Sequence, residues 1–250
     1  MPAISIILPS YNDYRVLRSI ESIINFDDTK DVEIVLIDGG SNDDLKNDIV
    51  SNLRDSDQFI YEKDKGIFDA LNKGLNKARG EIIGWLGSDD FFSKELKASY
   101  IKKEIYQFDL FIMSMVHFRE NKISRITPSW PQKYGLIKYG INNPHFSTFG
   151  KKDLLMKESF VIDDPAADIE YFLKIFSRKP SINTSNTFGV FMSEGGFSTS
   201  SRKFIIKNNF RLIKIYYKYS LLGIFSPFIK IIFKIMTMIP FIVVKKDIKI

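Results

Sequence analysis

Short apolar runs alternate with longer amphipathic stretches through the first part of the chain. The runs at residues 4–8, 32–37 and 82–86 are almost wholly apolar, which is typical of strands buried on both faces. Between them, apolar residues recur every three or four positions, which predicts three helices. Their inward positions are Val16, Ile20 and Ile23, then Leu45, Ile49 and Leu53, then Ile67, Leu71, Leu75 and Ala78. Repeated strand–loop–helix units predict a doubly wound, parallel α/β sheet.

Further elements are predicted after the third helix. Gly80 is placed as the glycine that ends this helix, and Ser93 as the cap of the next one. Residues 59–61 and 110–115 are typical of strands. The helix after Ser93 turns Leu96, Tyr100 and Ile105 inward.

The pattern weakens and then returns in the second half of the chain. Residues 121–150 are rich in proline, glycine and aromatic residues, which predicts loops and edge strands around a pocket. Residues 168–178 predict a helix with Asp168 at its N-terminus and one apolar face. That face consists of Ile169, Phe172, Leu173 and Phe176.

Polar side chains follow the buried strands. Residues 10–13 follow the first strand, residues 38–41 the second, and the adjacent carboxylates Asp89 and Asp90 the strand at 82–86. In open α/β sheets, ligands bind beyond the carboxyl ends of the strands. Two hard oxygen ligands there suit Mg²⁺ or Mn²⁺ bound to a substrate phosphate. The sequence therefore predicts a divalent-metal site for a nucleotide diphosphate.

Composition narrows the class of protein. The chain has 250 residues, 44% of them hydrophobic, so it is long enough for a large buried core. It has no cysteine, which excludes disulfides and thiolate metal sites and is compatible with a reducing cytosol. The N-terminus lacks a basic flank and a small-residue cleavage site, so we interpret it as a first strand and not as a signal peptide.

Positive charge is concentrated at the C-terminus. Residues 201–250 hold eleven Lys/Arg and one acid, a local charge of +10, whereas residues 1–200 carry −4. A nucleic-acid-binding domain would spread its basic face over the folded core, so no nucleic-acid partner is predicted. We predict a catalytic domain at 1–200 and a basic, apolar helical tail at 201–250 that lies on an anionic membrane surface.

The tail is not predicted to span a membrane. Residues 221–244 are long enough, but Lys230 and Lys234 would each cost ~3 kcal/mol on insertion. The two lysines share one helical face opposite apolar residues, which favours an in-plane amphipathic helix. The alternative is a helix packed on the core with its lysines in solvent. The predicted location is cytoplasmic, at the inner face of the membrane.

Five stretches together resemble the family 2 glycosyltransferases, inverting enzymes with the GT-A fold, of the bacterial cell-surface polysaccharide type. The resemblance covers residues 3 to about 200 and is most specific in the first 95. It implies a Rossmann-like, mixed, mainly parallel sheet flanked by helices. The stretches are Pro9-Ser10-Tyr11-Asn12, Ile37-Asp38-Gly39-Gly40-Ser41 with Asp43, residues 64–74 (DKGIFDALNKG), Ala78-Arg79-Gly80 and Gly87-Ser88-Asp89-Asp90, and the later segments of His145 and Asp168 continue the resemblance.

The resemblance also implies a donor site and a cofactor. Asp38 would accept a hydrogen bond from the nucleotide base of a nucleotide sugar, with a UDP-sugar expected, and the cofactor would be Mn²⁺ or Mg²⁺. Asp89 aligns with the second acid of the family's Asp-x-Asp motif and Asp90 lies beside it, whereas Gly87 stands where the first acid would be. The implied donor-binding residues are Pro9, Ser10, Tyr11, Asn12, Asp38, Gly40, Asp64, Lys65, Asp69, Asn72, Ser88 and Asp89.

Displacing a nucleoside diphosphate from an anomeric carbon also needs a base for the acceptor hydroxyl, and a carboxylate is sufficient. The stretch at 166–171 is similar to the family's acidic motif, so Asp168 is the predicted base. Asp163, Asp164 and Glu170 are its competitors. The resemblance further places His145 and Gly196 on the acceptor or phosphate side.

Each site residue also has an ordinary structural alternative. Asp38, the pair Asp89 and Asp90, and Asp168 could be helix caps. Asp64 and Lys65 could be a solvated turn. His145 could be a simple loop histidine, and residues 195–198 a linker.

The predicted activity is transfer of a hexosyl or N-acetylhexosaminyl group to a saccharide or polyprenyl-linked acceptor. The alternatives are a sugar-nucleotide pyrophosphorylase and a non-enzymatic, basic lipid-binding module. A pyrophosphorylase would carry a glycine-rich first loop, and residues 9–13 contain no glycine.

Overall fold

A mixed sheet of nine strands organises the part of the chain that the structure describes. The structure is a computed structural model, and it describes residues 2–120, 122–141, 143–194, 202–233 and 235, with backbone only at 202–208. The strands are β1 (Ile4–Ser10), β2 (Val32–Asp38), β3 (Gln58–Tyr61), β4 (Ile82–Trp85), β5 (Phe91–Phe92), β6 (Leu110–Arg119), β7 (Lys122–Thr127), β8 (Thr148–Lys151) and β9 (Ile182–Ser193).

Helices flank both faces of this sheet. They are α1 (Val16–Phe26), α2 (Asp43–Asn52), α3 (Ile67–Lys77), α4 (Ala98–Gln107), α5 (Lys152–Leu155), α6 (Ala167–Ser177), α7 (Arg202–Tyr219) and α8 (residues 226–233). Short 3₁₀ helices occupy Trp130–Tyr134, Leu136–Tyr139, His145–Ser147 and Leu221–Phe225.

The strand order is β3-β2-β1-β4-β8-β6-β9-β5, with β7 paired to β6. The first four strands along the chain are parallel, whereas β8 runs antiparallel to both β4 and β6. Ser10 pairs in register with Asp38, and Asp38 with Tyr61. Because parallel strands end at the same edge of a sheet, the loops that follow β1, β2, β3 and β4 lie at one edge.

The side chains of the central strands divide between two layers of core because successive residues point to opposite faces. Ile4, Ile6 and Leu8 of β1 pack with α1, α2 and α4, whereas Ile7 packs with α3, α6 and α7. The inward positions predicted for the five helices before the tail are buried or half-buried except Ile67, which is exposed at the first residue of α3. The apolar runs therefore form central strands because helices cover both of their faces.

Two local expectations were wrong. α3 ends at Lys77, so Gly80 is not its terminal glycine; a Cβ atom at Gly80 would lie 2.7 Å from the Ser5 backbone nitrogen, so the close approach to β1 requires glycine. α4 begins at Ala98, and the Ser93 hydroxyl instead accepts from the Glu95 N–H at 3.4 Å in a preceding turn.

The Ala78-Arg79-Gly80 stretch has a structural role, because Arg79 binds a buried carboxylate of β2. Glu33 of β2 is fully buried and accepts from the Ser5 hydroxyl at 2.5 Å and from the Arg79 Nε–H at 2.7 Å. Burial raises the pKa of Glu33, but these hydrogen bonds outweigh it and hold that pKa below its ordinary value. A paired and hydrogen-bonded buried charge fixes the relative position of its elements. Arg79 therefore links the end of α3 to β2.

The first part of the tail is packed on the core. Leu212, Ile215 and Tyr216 of α7 are buried against α6 and its neighbours. None of the described helices combines the length and hydropathy that crossing a membrane requires. Lys234 and residues 236–250 lie outside the described residues, so the predicted in-plane helix is described only in its first part.

Candidate active site

A hydrogen-bond network around Asp38 joins the loops that follow β1 and β2. Asp38 is fully buried, and its Oδ1 accepts from the backbone N–H groups of Gly40 and Ser41 at 3.0 and 2.7 Å. Its Oδ2 accepts from the Ser41 hydroxyl at 2.7 Å, and that hydroxyl accepts from the Asn12 N–H at 2.8 Å. Asn12 Oδ1 in turn accepts from the Asn42 N–H at 3.0 Å. Three predicted donor-binding residues, Asn12, Asp38 and Gly40, thus lie together.

Three further predicted donor residues lie where β1 ends. Pro9 and Ser10 are buried, and the Ser10 hydroxyl has no hydrogen-bond partner among the described residues. Tyr11 is 64% exposed. An exposed ring beside a buried hydroxyl offers a flat base both a stacking surface and a hydrogen bond.

The β3–α3 loop closes against the turn that follows β2. A Cβ atom on Gly39 would lie 2.7 Å from Asp64 Oδ2, so glycine at this position lets the Asp64 carboxylate approach. Asp64 Oδ1 accepts from the Gly66 N–H at 2.9 Å, and Asp69 Oδ2 accepts from the Lys65 N–H at 3.0 Å. Asp64, Lys65 and Asp69 therefore lie together at the start of α3.

The two carboxylates after β4 have different environments. Asp90 is buried, and its Oδ1 accepts from the Ser193 N–H of β9 at 2.9 Å. Burial and the neighbouring Asp89 raise the pKa of Asp90 well above its ordinary value. Asp89 is partly exposed; burial raises its pKa as well. A Cβ atom on Gly87 would lie 2.5 Å from Asp90 Oδ2, so the Asp90 carboxylate fills the space that a side chain at position 87 would take.

Sequence reasoning missed Arg15. Its Nε and Nη2 donate to the two carboxylate oxygens of Asp13 at 2.8 and 2.7 Å, and its Nη1 lies 3.5 Å from Asp89 Oδ2. The Ser88 hydroxyl also donates to Asp13 Oδ2, at 3.4 Å. Arg15 thereby ties the loop after β1 to the loop after β4. The sequence did contain a sign of this role, because Asp13 and Arg15 come shortly after the first strand, where site residues are expected.

The residues at this edge fit a metal that is shared with a substrate. No group of three or more His, Asp or Glu side chains converges as a metal cage within the described ranges. Mg²⁺, however, is commonly bound through one or two carboxylates plus substrate phosphates. Asp89 is accessible and fits as a direct ligand, while the buried Asp90 beside it would supply a second negative charge once a cation favours its deprotonated form. Raised pKa values of both groups are expected where two carboxylates share a site without a cation.

Asp168 lies in the first turn of α6, as predicted. Burial raises the pKa of Asp168; Lys230 lowers it and Asp164 raises it by their charges. Such a carboxylate is a stronger base than an exposed one. The aromatic ring of Tyr171, also on α6, contacts the Trp85 ring with centroids 6.2 Å apart, so α6 packs against the strand that leads to Asp89.

The competitors of Asp168 have other partners. Arg211 of α7 donates to Asp164 Oδ2 at 2.7 Å through Nε and to Glu170 Oε2 at 3.0 Å through Nη2. Asp163 is exposed and has a left-handed backbone with φ of 66°. Because Arg211 occupies the carboxylates of both Asp164 and Glu170, Asp168 remains the better candidate for proton transfer.

His145 is buried, whereas Asn72 of α3 is half-buried. The His145 ring stacks on Phe146 with centroids 4.7 Å apart, and burial lowers its pKa to about 3, so it is neutral at physiological pH. Its Nε2 has no hydrogen-bond partner among the described residues. Asn72 exchanges two hydrogen bonds of 2.9 Å with the Phe160 backbone. Gly196 lies outside the described residues.

The structure thus brings the donor-side residues that follow β1, β2, β3 and β4 to one edge of the sheet. Asp168 lies on a helix that packs against β4, His145 is buried among aromatic rings, and Asn72 is half-buried away from the strand ends. This arrangement is that of an α/β protein with polar and acidic side chains beyond the carboxyl ends of parallel strands, a place where nucleotides bind.

Comparison with known proteins identifies the family. The sequence profile described as "Glycosyl transferase family 2" matches residues 5–167. An uncharacterized glycosyltransferase of Haemophilus influenzae is 29% identical over 233 residues, which is 90% of this chain and 91% of the relative. The match to the PGL/p-HBAD biosynthesis glycosyltransferase of Mycobacterium bovis is 37% over 92 residues, 36% of each chain. The chain therefore belongs to the family 2 glycosyltransferases and is a glycosyltransferase.

Solved structures confirm the fold. S. aureus TarS residues 1–349 in complex with UDP-GlcNAc superimposes with a TM-score of 0.64 at 18% identity, covering 90% of this chain and 73% of that one. The mannosyltransferase PcManGT of Pyrobaculum calidifontis, in complex with GDP-Man and Mn²⁺, gives a TM-score of 0.61 at 18% identity, covering 87% and 64%. The predicted mixed α/β fold of the GT-A type is confirmed.

Proposed function

We propose that this protein is an inverting, divalent-metal-dependent glycosyltransferase that uses a UDP-sugar as donor. The observation that carries the proposal is the joining of three strand-end loops into one site. Hydrogen bonds through Asn12 and Ser41 connect the first two loops, and Arg15 connects the first to the loop of Asp89. The UDP-GlcNAc complex of the TarS structure supports a uridine nucleotide as the donor class.

Each donor-side group has a role that follows from its surroundings. Asp38 holds the turn after β2 and retains acceptor capacity on its oxygens for the imino N–H of a uracil base. Tyr11 covers the base, and Ser10 donates to the base or ribose. Lys65, exposed at the start of α3, approaches the donor diphosphate or sugar.

Asp89 and Asp90 would hold Mn²⁺ or Mg²⁺ with the donor diphosphate. Such an ion supplies charge stabilisation for the departing nucleoside diphosphate. The Mn²⁺ complex of the PcManGT structure supports this cofactor class. Arg15, which neutralises Asp89 when no other cation is bound, is within reach of the same phosphates.

Asp168 takes the proton from the acceptor hydroxyl. Attack on the anomeric carbon from the side opposite the diphosphate inverts its configuration. A groove of about 310 Å³ between residues 161–165 and Arg211 lies next to the first turn of α6 and is a place for the acceptor. The proposed acceptor is a saccharide, free or linked to a polyprenyl lipid. The proposed location is the cytoplasmic face of a membrane, supported by the basic tail.

The test uses the full chain with UDP-GlcNAc, UDP-glucose and GDP-mannose, with and without Mn²⁺. We expect one UDP-sugar to raise the melting temperature and to be hydrolysed slowly in the presence of Mn²⁺. Asp89→Ala should abolish the Mn²⁺-dependent part of nucleotide binding, whereas Asp153→Ala, at an exposed acid of α5, should not. No thermal shift and no hydrolysis with any donor would overturn the proposal.

A further inference from the structure

The C-terminal segment leaves a large apolar surface in solvent. Leu221 of the 3₁₀ helix is 75% exposed, and Phe228 of α8 is 67% exposed. Ile231, Ile232 and Ile235 are each more than half exposed. Soluble proteins rarely expose contiguous apolar patches of this kind unless the patch binds something.

A second, distant segment of the sequence extends this surface. The 3₁₀ helix Trp130–Tyr134 lies against α8, because the rings of Trp130 and Phe233 contact with centroids 6.4 Å apart. A Cβ atom on Gly140 would lie 2.7 Å from the Ser226 Cβ, so the two backbones approach closely at the base of the surface. Trp130 is 46% and Tyr134 66% exposed. The C-terminal helices and this aromatic turn therefore form one composite surface.

The two segments that form the composite surface carry charge of one sign. Residues 122–141 and 202–235 contain no Asp or Glu. Both segments contain exposed lysines: Lys133 and Lys138 in or near the aromatic turn, and Lys214 and Lys218 on α7, of which Lys218 lies 3.9 Å from Glu170 of α6. Trp and Tyr are enriched where an apolar phase meets water, and lysines near a membrane surface attract anionic lipids.

We propose that this composite surface docks on an anionic lipid bilayer, with the aromatic turn inserted at the headgroup level beside α8. An in-plane orientation follows because exposed apolar side chains and lysines occur together on the C-terminal helices, as in helices that lie at a membrane interface. The inference rests on the proposed membrane location and adds the surface that makes the contact, including a turn of the catalytic domain. A docked turn fixes the orientation of the catalytic domain, so a lipid-linked acceptor would reach Asp168 from a defined side.

The test is sedimentation of the full chain with vesicles of phosphatidylcholine containing phosphatidylglycerol, and with vesicles of phosphatidylcholine alone. We expect binding to the anionic vesicles, and the double variant Trp130→Ala/Tyr134→Ala should bind about tenfold more weakly. Tyr106→Ala is the matched control, because Tyr106 is 89% exposed on α4, and it should bind as the unmodified protein does. Slow hydrolysis of the UDP-sugar, measured on the same samples, should be unchanged in both variants.

Three results would overturn the inference. Wild-type vesicle binding by the double variant would remove the aromatic turn from the contact. No binding of the unmodified protein to anionic vesicles would remove the lipid surface, and retained donor hydrolysis in that experiment would leave the proposed chemistry standing. A dimer in light scattering that Phe228→Ser converts to a monomer would assign the surface to a second copy of this chain.

Discussion

Asp168 holds the most specific proposed role of any single side chain. Asp168→Asn keeps the size of the side chain and removes its ability to accept a proton. We therefore expect transfer to fall about 10²–10⁴-fold, with UDP affinity unchanged. Transfer assays and calorimetric titration with UDP and Mn²⁺ measure the two quantities. Asp153→Asn is the control, and wild-type transfer by Asp168→Asn would remove this residue from the mechanism.

The pH dependence of transfer also depends on Asp168. Burial raises the pKa of this carboxyl above 3.8, with Lys230 opposing the shift and Asp164 adding to it. A base acts only when deprotonated, so kcat/KM should fall as the pH falls through this raised pKa. A pH–rate profile should place the acidic limb above the range of an ordinary aspartate. A value of kcat/KM that stays constant as the pH is lowered to the ordinary pKa range of an aspartate would contradict this expectation.

Asp90 is expected to lower the stability of the metal-free protein at neutral pH. Burial and Asp89 raise its pKa, so folding favours the protonated form. The stability that this form contributes is present at low pH and is lost as the pH rises through the folded-state pKa. Asp90→Asn mimics the protonated form and can still accept from the Ser193 N–H. We expect a higher melting temperature than wild type at about pH 8, with a gap that narrows toward about pH 4.

That experiment is done with a chelator present, and Mn²⁺ provides the control. Added Mn²⁺ should raise the melting temperature of the unmodified protein more than that of Asp90→Asn, because the ion favours two charged carboxylates. A melting temperature of Asp90→Asn below that of wild type at every pH would show that the charge is already compensated in the folded protein.

The placement of individual candidate residues was predictable where they follow a buried strand. Asp38, Asp89 and Asn12 were expected to lie at one edge because parallel strands end at the same edge of an α/β sheet, and the structure places them there. The contact of Arg15 with Asp89 could not, because it depends on how far the loop after β1 bends toward β4. The hydrogen-bond partners of Asn72 could not be predicted from the sequence either, because they belong to the Phe160 backbone, 88 residues away.

At the scale of elements, ion pairs couple α7 to α6 and to the turn before it. Arg211 of α7 is half-buried and binds Asp164 and Glu170, which are both buried, and Lys218 of α7 lies 3.9 Å from Glu170. Arg211→Leu removes the shorter of these contacts from both carboxylates and leaves Glu170 only its longer contacts with lysines, at a cost of about 1–3 kcal/mol. We expect a lower melting temperature and faster amide hydrogen exchange in α7. Arg178→Leu, which removes the partner of Glu158 at a more exposed position, should have a smaller effect on both.

Equal effects of the two substitutions would contradict the coupling. The exchange measurement distinguishes a local detachment of α7 from a general loss of stability, because only the former is confined to residues in and around α7. Arg211→Lys keeps the charge but not the two-pronged geometry, so it should restore part of the stability.

Elements were predictable to the extent that their sequence pattern is local. β1, β2, α1 and α3 have uninterrupted apolar runs or a clear helical period, and each was placed within a few residues. β5 and β9 were not predicted as strands, whereas β7 and β8 were predicted only as edge strands without bounds within residues 121–150, and β8 lies between β4 and β6 and not at an edge. β5 has two residues, and β9 contains a polar stretch that is ordered by pairing with β6 across the sheet. Such strands depend on non-local partners that a sequence pattern does not contain.

At the scale of the whole molecule, the two halves of the tail have different surroundings. α7 contributes Leu212, Ile215 and Tyr216 to the core beneath α6, whereas most large apolar side chains described from Leu221 onward are exposed. The domain boundary predicted at residue 200 therefore divides one packed unit, because α7 lies beyond that boundary and its apolar side chains belong to the core. We propose that α7 functions as part of the catalytic unit and that the membrane-contacting part begins after it.

Two truncations test this division. Deleting residues 221–250 should leave the fold and UDP binding intact and reduce binding to anionic vesicles, because it removes the exposed apolar residues and keeps α7. Deleting residues 202–250 should also lower the melting temperature strongly, because it opens a cavity against α6 and strips Asp164 and Glu170 of Arg211. Thermal unfolding, calorimetry with UDP and vesicle sedimentation measure the three properties. If the protein without residues 202–250 were as stable as the protein without residues 221–250, α7 would not belong to the catalytic unit.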